Sequence, residues 1–138
     1  MIKIATSKDI LTVARMMMAL YKEIQPQYAT DDLEVYAMEV RKHIQSPTDT
    51  LYVAEGGFFI VRDETEPMTP NLHRYNGIRV FIAPSYRNGS LLARFYDRLF
   101  TDFPNGEIMG ITEINSEHIK VLDKRHTLIA KVYRLNRS

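Results

Sequence analysis

The segment VFIAPSYRNGSLL, residues 80–92, decides how the rest of the chain is interpreted. It begins with an apolar run typical of a buried strand, and Pro84 ends that run because proline cannot donate to a sheet ladder. After Gly89, apolar residues recur at the spacing of one helix face. They are Leu91, Leu92, Phe95, Tyr96, Leu99 and Phe100. The segment therefore predicts a strand that passes through a tight turn into a helix.

The turn of this segment has the chemistry of an anion site. A helix N-terminus presents unpaired backbone N–H groups and a partial positive charge, and N–H groups that converge in a turn add to it. Arg87, Gly89 and Ser90 supply a cation, a small residue and a hydroxyl, although the turn has fewer glycines than most phosphate loops. The alternative is an ordinary helix start, capped by Asn88 or Ser90, with the two leucines in the core.

Upstream of this segment, the hydrophobic pattern predicts five elements. Residues 2–5 alternate as a short strand, and capping oxygens at residues 6–9 and 30–32 precede two amphipathic helices. Glu55-Gly56-Gly57 separates two strand-like runs and suits a tight hairpin turn. Residues 64–76 contain two prolines and mixed polarity, which predicts a loop.

Downstream, residues 107–114 predict a strand, residues 116–124 a short helix and residues 127–135 a last strand. The order is then β-α-α-β-β-β-α-β-α-β. There is no internal repeat, linker or low-complexity segment. The sequence therefore predicts one α+β domain with a mixed central sheet over residues 1–138.

Composition excludes several classes of function. A net charge of +1 over 138 residues argues against a general nucleic-acid or membrane-surface binder. The chain has no cysteine, hence no disulfide, thiolate site or cysteine nucleophile. The histidines lack metal-ligand spacing, so no metal is expected. Charges interrupt the N-terminus and no apolar run could span a membrane, so the expected location is cytoplasmic.

Two motifs carry a resemblance to a known family. In VFIAPSYRNGSLL, the residues Val80, Pro84, Tyr86 and Arg87 match the acyl-CoA loop of the GNAT family of N-acetyltransferases. In INSEHIKVLDKRHTLIAKVYRL, residues 114–135, the asparagine and the final strand-like run match its second motif. The chain thus resembles GNAT proteins over nearly its whole length. The pattern NSxHIxxL, at residues 115–122, is similar to a pattern in the short GNAT-type proteins of tailed phages.

The resemblance implies a binding site for acetyl-CoA. Its pantetheine arm would pair with the strand at Val80, Phe81 and Ile82. Its pyrophosphate would contact the following turn and helix start, at Arg87, Asn88, Gly89, Ser90, Leu91 and Leu92. Two glycines of the family pattern fall on Ser90 and Leu92. The Leu92 side chain then has two alternative places, in the space that the phosphates need or in the core.

The resemblance also suggests catalytic residues. Glu113 is the candidate general base, and its alternative is a strand residue that faces solvent. Asn115 and His118 belong to the second motif, and the alternative for His118 is a partly buried, hydrogen-bonded histidine. The tyrosine that protonates the CoA thiolate in many GNAT enzymes is Leu122 here, and the following Gly-Phe is His126-Thr127. Tyr21 and Tyr28 either line an acceptor pocket or form the edge of the core.

Two main functions remain open from sequence. The first is acetyl-CoA-dependent acetyl transfer to an amine of a small molecule or protein. The second is a catalytically inactive GNAT-fold protein that acts through protein contacts, as a phage virion or host-interaction component, in the host cytoplasm or the virion. A homodimer fits either. A nucleic-acid-binding module that uses the basic C-terminal residues has little support beyond charge.

Overall fold

The computed structural model describes residues 1–110. Within this range the chain forms five strands and three helices, joined by short 3-10 turns at Ser7–Asp9 and Pro84–Tyr86. In chain order the elements are β1 Lys3–Ile4, α1 Ile10–Ile24, α2 Leu33–Gln45, β2 Asp49–Ala54, β3 Gly57–Asp63, β4 Arg74–Ile82, α3 Ser90–Asp102 and β5 Glu107–Gly110.

The first two helices begin where the polar residues predicted caps. Thr6 and Asp9 form a reciprocal capping box, in which the Asp9 carboxylate accepts from the Thr6 N–H at 2.8 Å. The Asp32 carboxylate accepts from the N–H of Glu34 at 3.1 Å at the start of α2. Thr6 and Asp9 thus cap the 3-10 turn that leads into α1, and Asp32 satisfies a backbone donor of the first turn of α2.

The strands form one mixed sheet in the order β1-β2-β3-β4-β5. The first three interfaces are antiparallel, whereas β4 and β5 are parallel, from Arg74 opposite Glu107 to Gly77 opposite Gly110. Glu55 and Gly56 make a two-residue hairpin between β2 and β3, and Gly56 has a φ of +89° that favours glycine.

Helices cover both faces of the sheet and create two cores. On one face, α1 and α2 pack against alternate residues of β2, β3 and β4, including Leu51, Phe58, Ile60 and Phe81. On the other face, α3 packs against a second set that includes Phe59 and Val61. This layering is why the apolar stripes of the three helices are wide.

The predicted element order is confirmed through β5, and the expected α+β domain with a mixed sheet is observed. One boundary differs: β4 begins at Arg74, inside the segment predicted as a loop. Tyr75 and Asn76 are polar or amphipathic, but both pair with β3 on one side and with β5 on the other. The helix predicted at 116–124, the strand at 127–135 and the strand residues after 110 lie outside the described residues.

A bulge interrupts the pairing of β3 with β4. Ile60 lies opposite Arg79, whereas the next residue, Val61, lies opposite Gly77, so Ile78 is an extra residue in β4. The bulge lets Ile78 and Arg79 both face α1 and α2: Ile78 packs against the first core, and Arg79 contacts side chains of both helices.

Candidate functional site

The loop after β4 leads directly into the N-terminus of α3. Gly89 precedes the helix with a φ of +86°, a conformation that glycine adopts without strain. The Asn88 side chain accepts from the N–H of Ser90 at 3.0 Å and so caps one donor. Asn88 and Ser90 are exposed. The N–H groups of Leu91 and Leu92 also belong to the first turn, where no helical carbonyl can reach them.

The side chains of Leu91 and Leu92 point into the second core. They are 1% and 3% exposed and belong to the cluster that contains Phe59 and Phe95. Of the two places that the sequence left open for the Leu92 side chain, the structure shows the core, because the apolar face of α3 turns this side chain toward the sheet. Only the backbone of these two residues is available to an anion.

Arg87 folds back over the end of β4. Its Nε donates to the carbonyl of Ile82 at 2.7 Å, and its guanidinium lies 5.9 Å from the ring centre of Phe81. One terminal nitrogen, Nη2, donates to the carboxylate of Glu23, near the end of α1, at 2.6 Å. A phosphate that used Arg87 would compete with Glu23, a partner that is about half exposed.

The strand residues predicted to contact a cofactor are packed by their side chains. Phe81 and Ile82 are buried, in the first and second core respectively, and Val80 packs at the edge of the second. Their partners in β3 are Phe58, Gly57 and Phe59, respectively. A ligand along this part of β4 would meet main-chain groups.

A cavity of about 240 Å³ opens on the other helical face, between α1, α2 and β4. Tyr21 and Tyr28, which the sequence left as either pocket or core edge, both line it. Its charged lining residues are Glu39 of α2 and Arg79 of β4. The complete lining is Met17, Tyr21, Gln25, Tyr28, Ala29, Thr30, Val35, Tyr36, Glu39 and Arg79.

Arg79 is held by two acceptors in this cavity. Its Nη1 donates to Nε2 of His43 at 2.7 Å, and its Nε donates to the Tyr21 hydroxyl at 3.1 Å. The Glu39 carboxylate is more distant, at 3.9 Å, and accepts a hydrogen bond from Lys42 at 3.2 Å. The guanidinium thus makes its hydrogen bonds to an imidazole and a hydroxyl.

The contacts of His43 fix its tautomer. Because Nε2 accepts from Arg79, the ring proton lies on Nδ1, which donates to the Asp49 carboxylate at 2.8 Å. Asp49 also accepts two hydrogen bonds from Arg62, at 2.7 and 3.1 Å, and its side chain is 2% exposed. The Arg62 guanidinium and then His43 lower the pKa of Asp49 to about 2, although burial raises it.

These four residues form a chain, Arg62–Asp49–His43–Arg79, that ends in the cavity. Sequence reasoning missed it. One signal was present: Arg79 lies inside the apolar run of β4, where a charge needs a partner. In the sequence His43 is only one of four histidines without metal-ligand spacing, and nothing local marks Asp49 as its neighbour.

Other sequence predictions concern residues that the structure does not describe. Glu113, Asn115 and His118 lie outside residues 1–110, as do Leu122 and His126. Among the residues that are described, no cluster of three or more histidines, cysteines or carboxylates is arranged to hold a metal ion. No helix within residues 1–110 has the length and hydropathy needed to cross a membrane.

Searches by sequence found no matching family model and no significant match among curated proteins. Solved structures are similar in fold. A ribosomal-protein-alanine N-acetyltransferase from Brucella melitensis aligns with a TM-score of 0.75 at 12% identity, covering 100% of this chain and 98% of its own. An aminoglycoside antibiotic 6′-N-acetyltransferase from Acinetobacter haemolyticus aligns at 0.68 and 11%, with coverage of 100% and 98%.

A third similar structure carries a different description. A transcriptional regulator from Bacillus halodurans aligns with a TM-score of 0.75 at 14% identity, covering 99% of both chains. At these identities the likeness establishes the fold alone, which this chain shares with two acetyltransferases and with the transcriptional regulator. Function has to be argued from the site.

Proposed function

We propose that this chain is an N-acetyltransferase that uses acetyl-CoA and acetylates an amine. The observation that carries the proposal is the open N-terminus of α3. It follows β4 after the short turn of residues 83–89, and Leu91 and Leu92 have first-turn N–H groups that no helical carbonyl reaches. The side chains of these two residues are buried in the second core. A pyrophosphate needs such an arrangement of donors. The acetyltransferases of similar fold agree with it.

The reaction would be a direct transfer. Acetyl-CoA supplies the thioester carbon, which the amine nitrogen attacks; the N–C bond forms and the C–S bond breaks. The amine gives up one proton to a base or to water, and the CoA thiolate takes one up. Most of the rate enhancement would come from positioning and from backbone donors near the thioester carbonyl. We assign the base to Glu113 and keep Asn115 and His118 as further candidate residues of the catalytic site.

A second function has an observation of its own. Arg87, the cation of the proposed loop, is already paired with Glu23. Together with Leu122 in place of the usual tyrosine, this supports a GNAT-fold protein without catalysis that acts by protein contact. A phage virion or host-interaction component is the specific form of this alternative. It predicts that acetyl-CoA does not bind.

Thermal unfolding with acetyl-CoA separates the two functions. A ligand that binds only the native state adds about 2.7 kcal/mol of stability at a hundred times its Kd. We expect a clear increase in Tm for the acetyltransferase, and acetylation of an amine by mass spectrometry. An unchanged Tm at millimolar acetyl-CoA would reject this function.

Ser90→Glu tests the placement of the phosphates. A carboxylate at this exposed position suits the dipole of α3, so the variant should fold normally, but it would repel the pyrophosphate. The matched control is Thr12→Glu, an exposed change in the first turn of α1. We expect Ser90→Glu to abolish the shift and Thr12→Glu to keep it. Equal shifts would show that the cofactor lies elsewhere.

A further inference from the structure

The cavity between α1, α2 and β4 contains a cation whose hydrogen bonds go to neutral groups. The His43 ring that accepts from Arg79 carries its proton on the other nitrogen, and the second acceptor is the Tyr21 hydroxyl. Neither group cancels the charge of the guanidinium. A buried or half-buried charge of this kind is stabilised by a counter-charge.

The neighbouring carboxylates are shared with other cations. Asp49 binds Arg62 through two hydrogen bonds, and Glu39 forms a long ion pair with Arg79 at 3.9 Å but lies closer to Lys42, at 3.2 Å. Three cations thus face two carboxylates, which leaves one net positive charge in this group, and the Arg79 side chain at the cavity is 30% exposed.

Arg79 is also fixed in orientation. Asp49 holds His43, and His43 holds Nη1, while the Tyr21 hydroxyl holds Nε on the other edge of the guanidinium. An arginine held in this way loses little conformational freedom when it binds a planar anion, so its charge-assisted hydrogen bonds are strong. The rest of the lining is mainly apolar and aromatic.

We infer that the cavity binds the acceptor substrate, and that this acceptor is a small amine that also bears a carboxylate, such as an amino acid with an apolar or aromatic side chain. The carboxylate pairs with Arg79, and the apolar group packs among Met17, Tyr21 and Tyr28. Asp49 and His43 act as positioning residues. The inference rests on the proposed acetyl transfer, in which the amine nitrogen forms the new bond to the acetyl carbon and the CoA sulfur leaves.

Binding of matched acids and amides tests the inference without any transfer step. L-phenylalanine and L-leucine are compared with phenylalaninamide and leucinamide by calorimetry. Each amide keeps the side chain and amine but lacks the negative charge. We expect the acids to bind about tenfold or more tightly than the amides, the usual range for a charge-assisted contact. The dipeptide Ala-Phe, whose carboxylate lies further from its amine, distinguishes a free amino acid from a peptide end.

Variants assign the preference to Arg79. Arg79→Gln should remove it, Arg79→Lys should restore part of it, and Arg15→Gln, at an exposed position on α1, should leave it intact. If acids and amides bind wild-type protein equally, or if Arg79→Gln retains the preference, the inference is wrong. Should Arg79→Gln fail to fold, the comparison of acid with amide in the wild type still decides.

The two proposals fail in distinguishable ways. If acetyl-CoA raises Tm but acids are not preferred, the acetyltransferase proposal stands and the carboxylate inference falls. If acetyl-CoA does not bind at all, the proposed function and the acceptor role both fall, whatever the cavity binds. In the supporting case, Arg79→Gln keeps the Tm shift with acetyl-CoA, because Arg79 faces the cavity rather than the α3 N-terminus.

Discussion

The two regions of interest use arginine in opposite ways. At the α3 N-terminus, Arg87 is tied to the exposed carboxylate of Glu23, and the donors left for an anion belong to the backbone. In the cavity, the hydrogen bonds of Arg79 go to a neutral imidazole and a hydroxyl, and its nearest carboxylate, Glu39, lies 3.9 Å away. Pairing with a carboxylate neutralises a cation, whereas neutral acceptors orient it and leave its charge to a ligand.

The largest expected effect concerns the first region. Leu92→Ala should lower the free energy of unfolding by about 2–5 kcal/mol, because this side chain is buried in the second core. Chemical denaturation measures it, with Ser90→Ala at the exposed neighbouring position as the control. A loss below about 1 kcal/mol would mean that Leu92 lies outside the core. Its side chain would then be available to fill the space that the phosphates need.

A smaller effect is expected at the carboxylate behind the cavity. Asp49→Asn should lower the free energy of unfolding by about 2 kcal/mol near neutral pH, because the folded protein holds the pKa of Asp49 below its unfolded value. A depressed pKa contributes stability above the unfolded value and loses it as the pH falls through the folded value. In the wild type this loss lies between about 3.8 and about 2.

Denaturation at several pH values checks this effect. The wild-type curve should steepen below pH 3.8, and the Asp49→Asn curve should lack that component. Arg62→Gln, which removes the first partner of Asp49, should move the loss to higher pH. Identical pH profiles for wild type and Asp49→Asn would show that the Asp49–Arg62 pair is not formed in solution.

The smallest expected effect concerns the ion pair between Arg87 and Glu23, the pairing that Arg79 does not have at the same short distance. Glu23→Gln should strengthen acetyl-CoA binding by up to about fivefold, because an exposed ion pair contributes up to about 1 kcal/mol and its loss removes a carboxylate that competes with phosphate for Arg87. The gain should shrink at high salt. Calorimetry measures it, with Glu34→Gln on α2 as the control, since Glu34 pairs with Arg41 instead. Weaker binding in Glu23→Gln would mean that Glu23 supports the loop rather than competing with the phosphates.

Local sequence patterns sufficed for most of the fold. The caps at Thr6 and Asp32, the hairpin at Gly56 and the strand–turn–helix of residues 80–92 each depend on contacts within a few residues. The start of β4 did not follow from sequence. Its first residues have loop-like composition, and they are strand only because β3 and β5 pair with them.

The candidate site likewise has one part that local sequence predicts and one part that it does not. The α3 N-terminus was predictable, because a turn followed by a helix defines it. The orientation of Leu92 stayed open from sequence, because the family pattern pointed to phosphate space and the apolar face of its own helix pointed to the core. The cavity network joins His43 to Arg79, which are 36 positions apart in the sequence, and no periodic pattern encodes that contact. Such a pair becomes visible only when the sheet and helices are packed.

The bulge in β4 has a consequence for insertions and deletions. Gly77 and Arg79 lie opposite consecutive residues of β3, and Ile78 has no position in that ladder. Removing Ile78 would leave every pair between β3 and β4 in place and would join them into an unbroken ladder, at the cost of one side chain in the first core. Loss of one codon, rather than any substitution, is thus the change that would straighten the strand beneath Arg79.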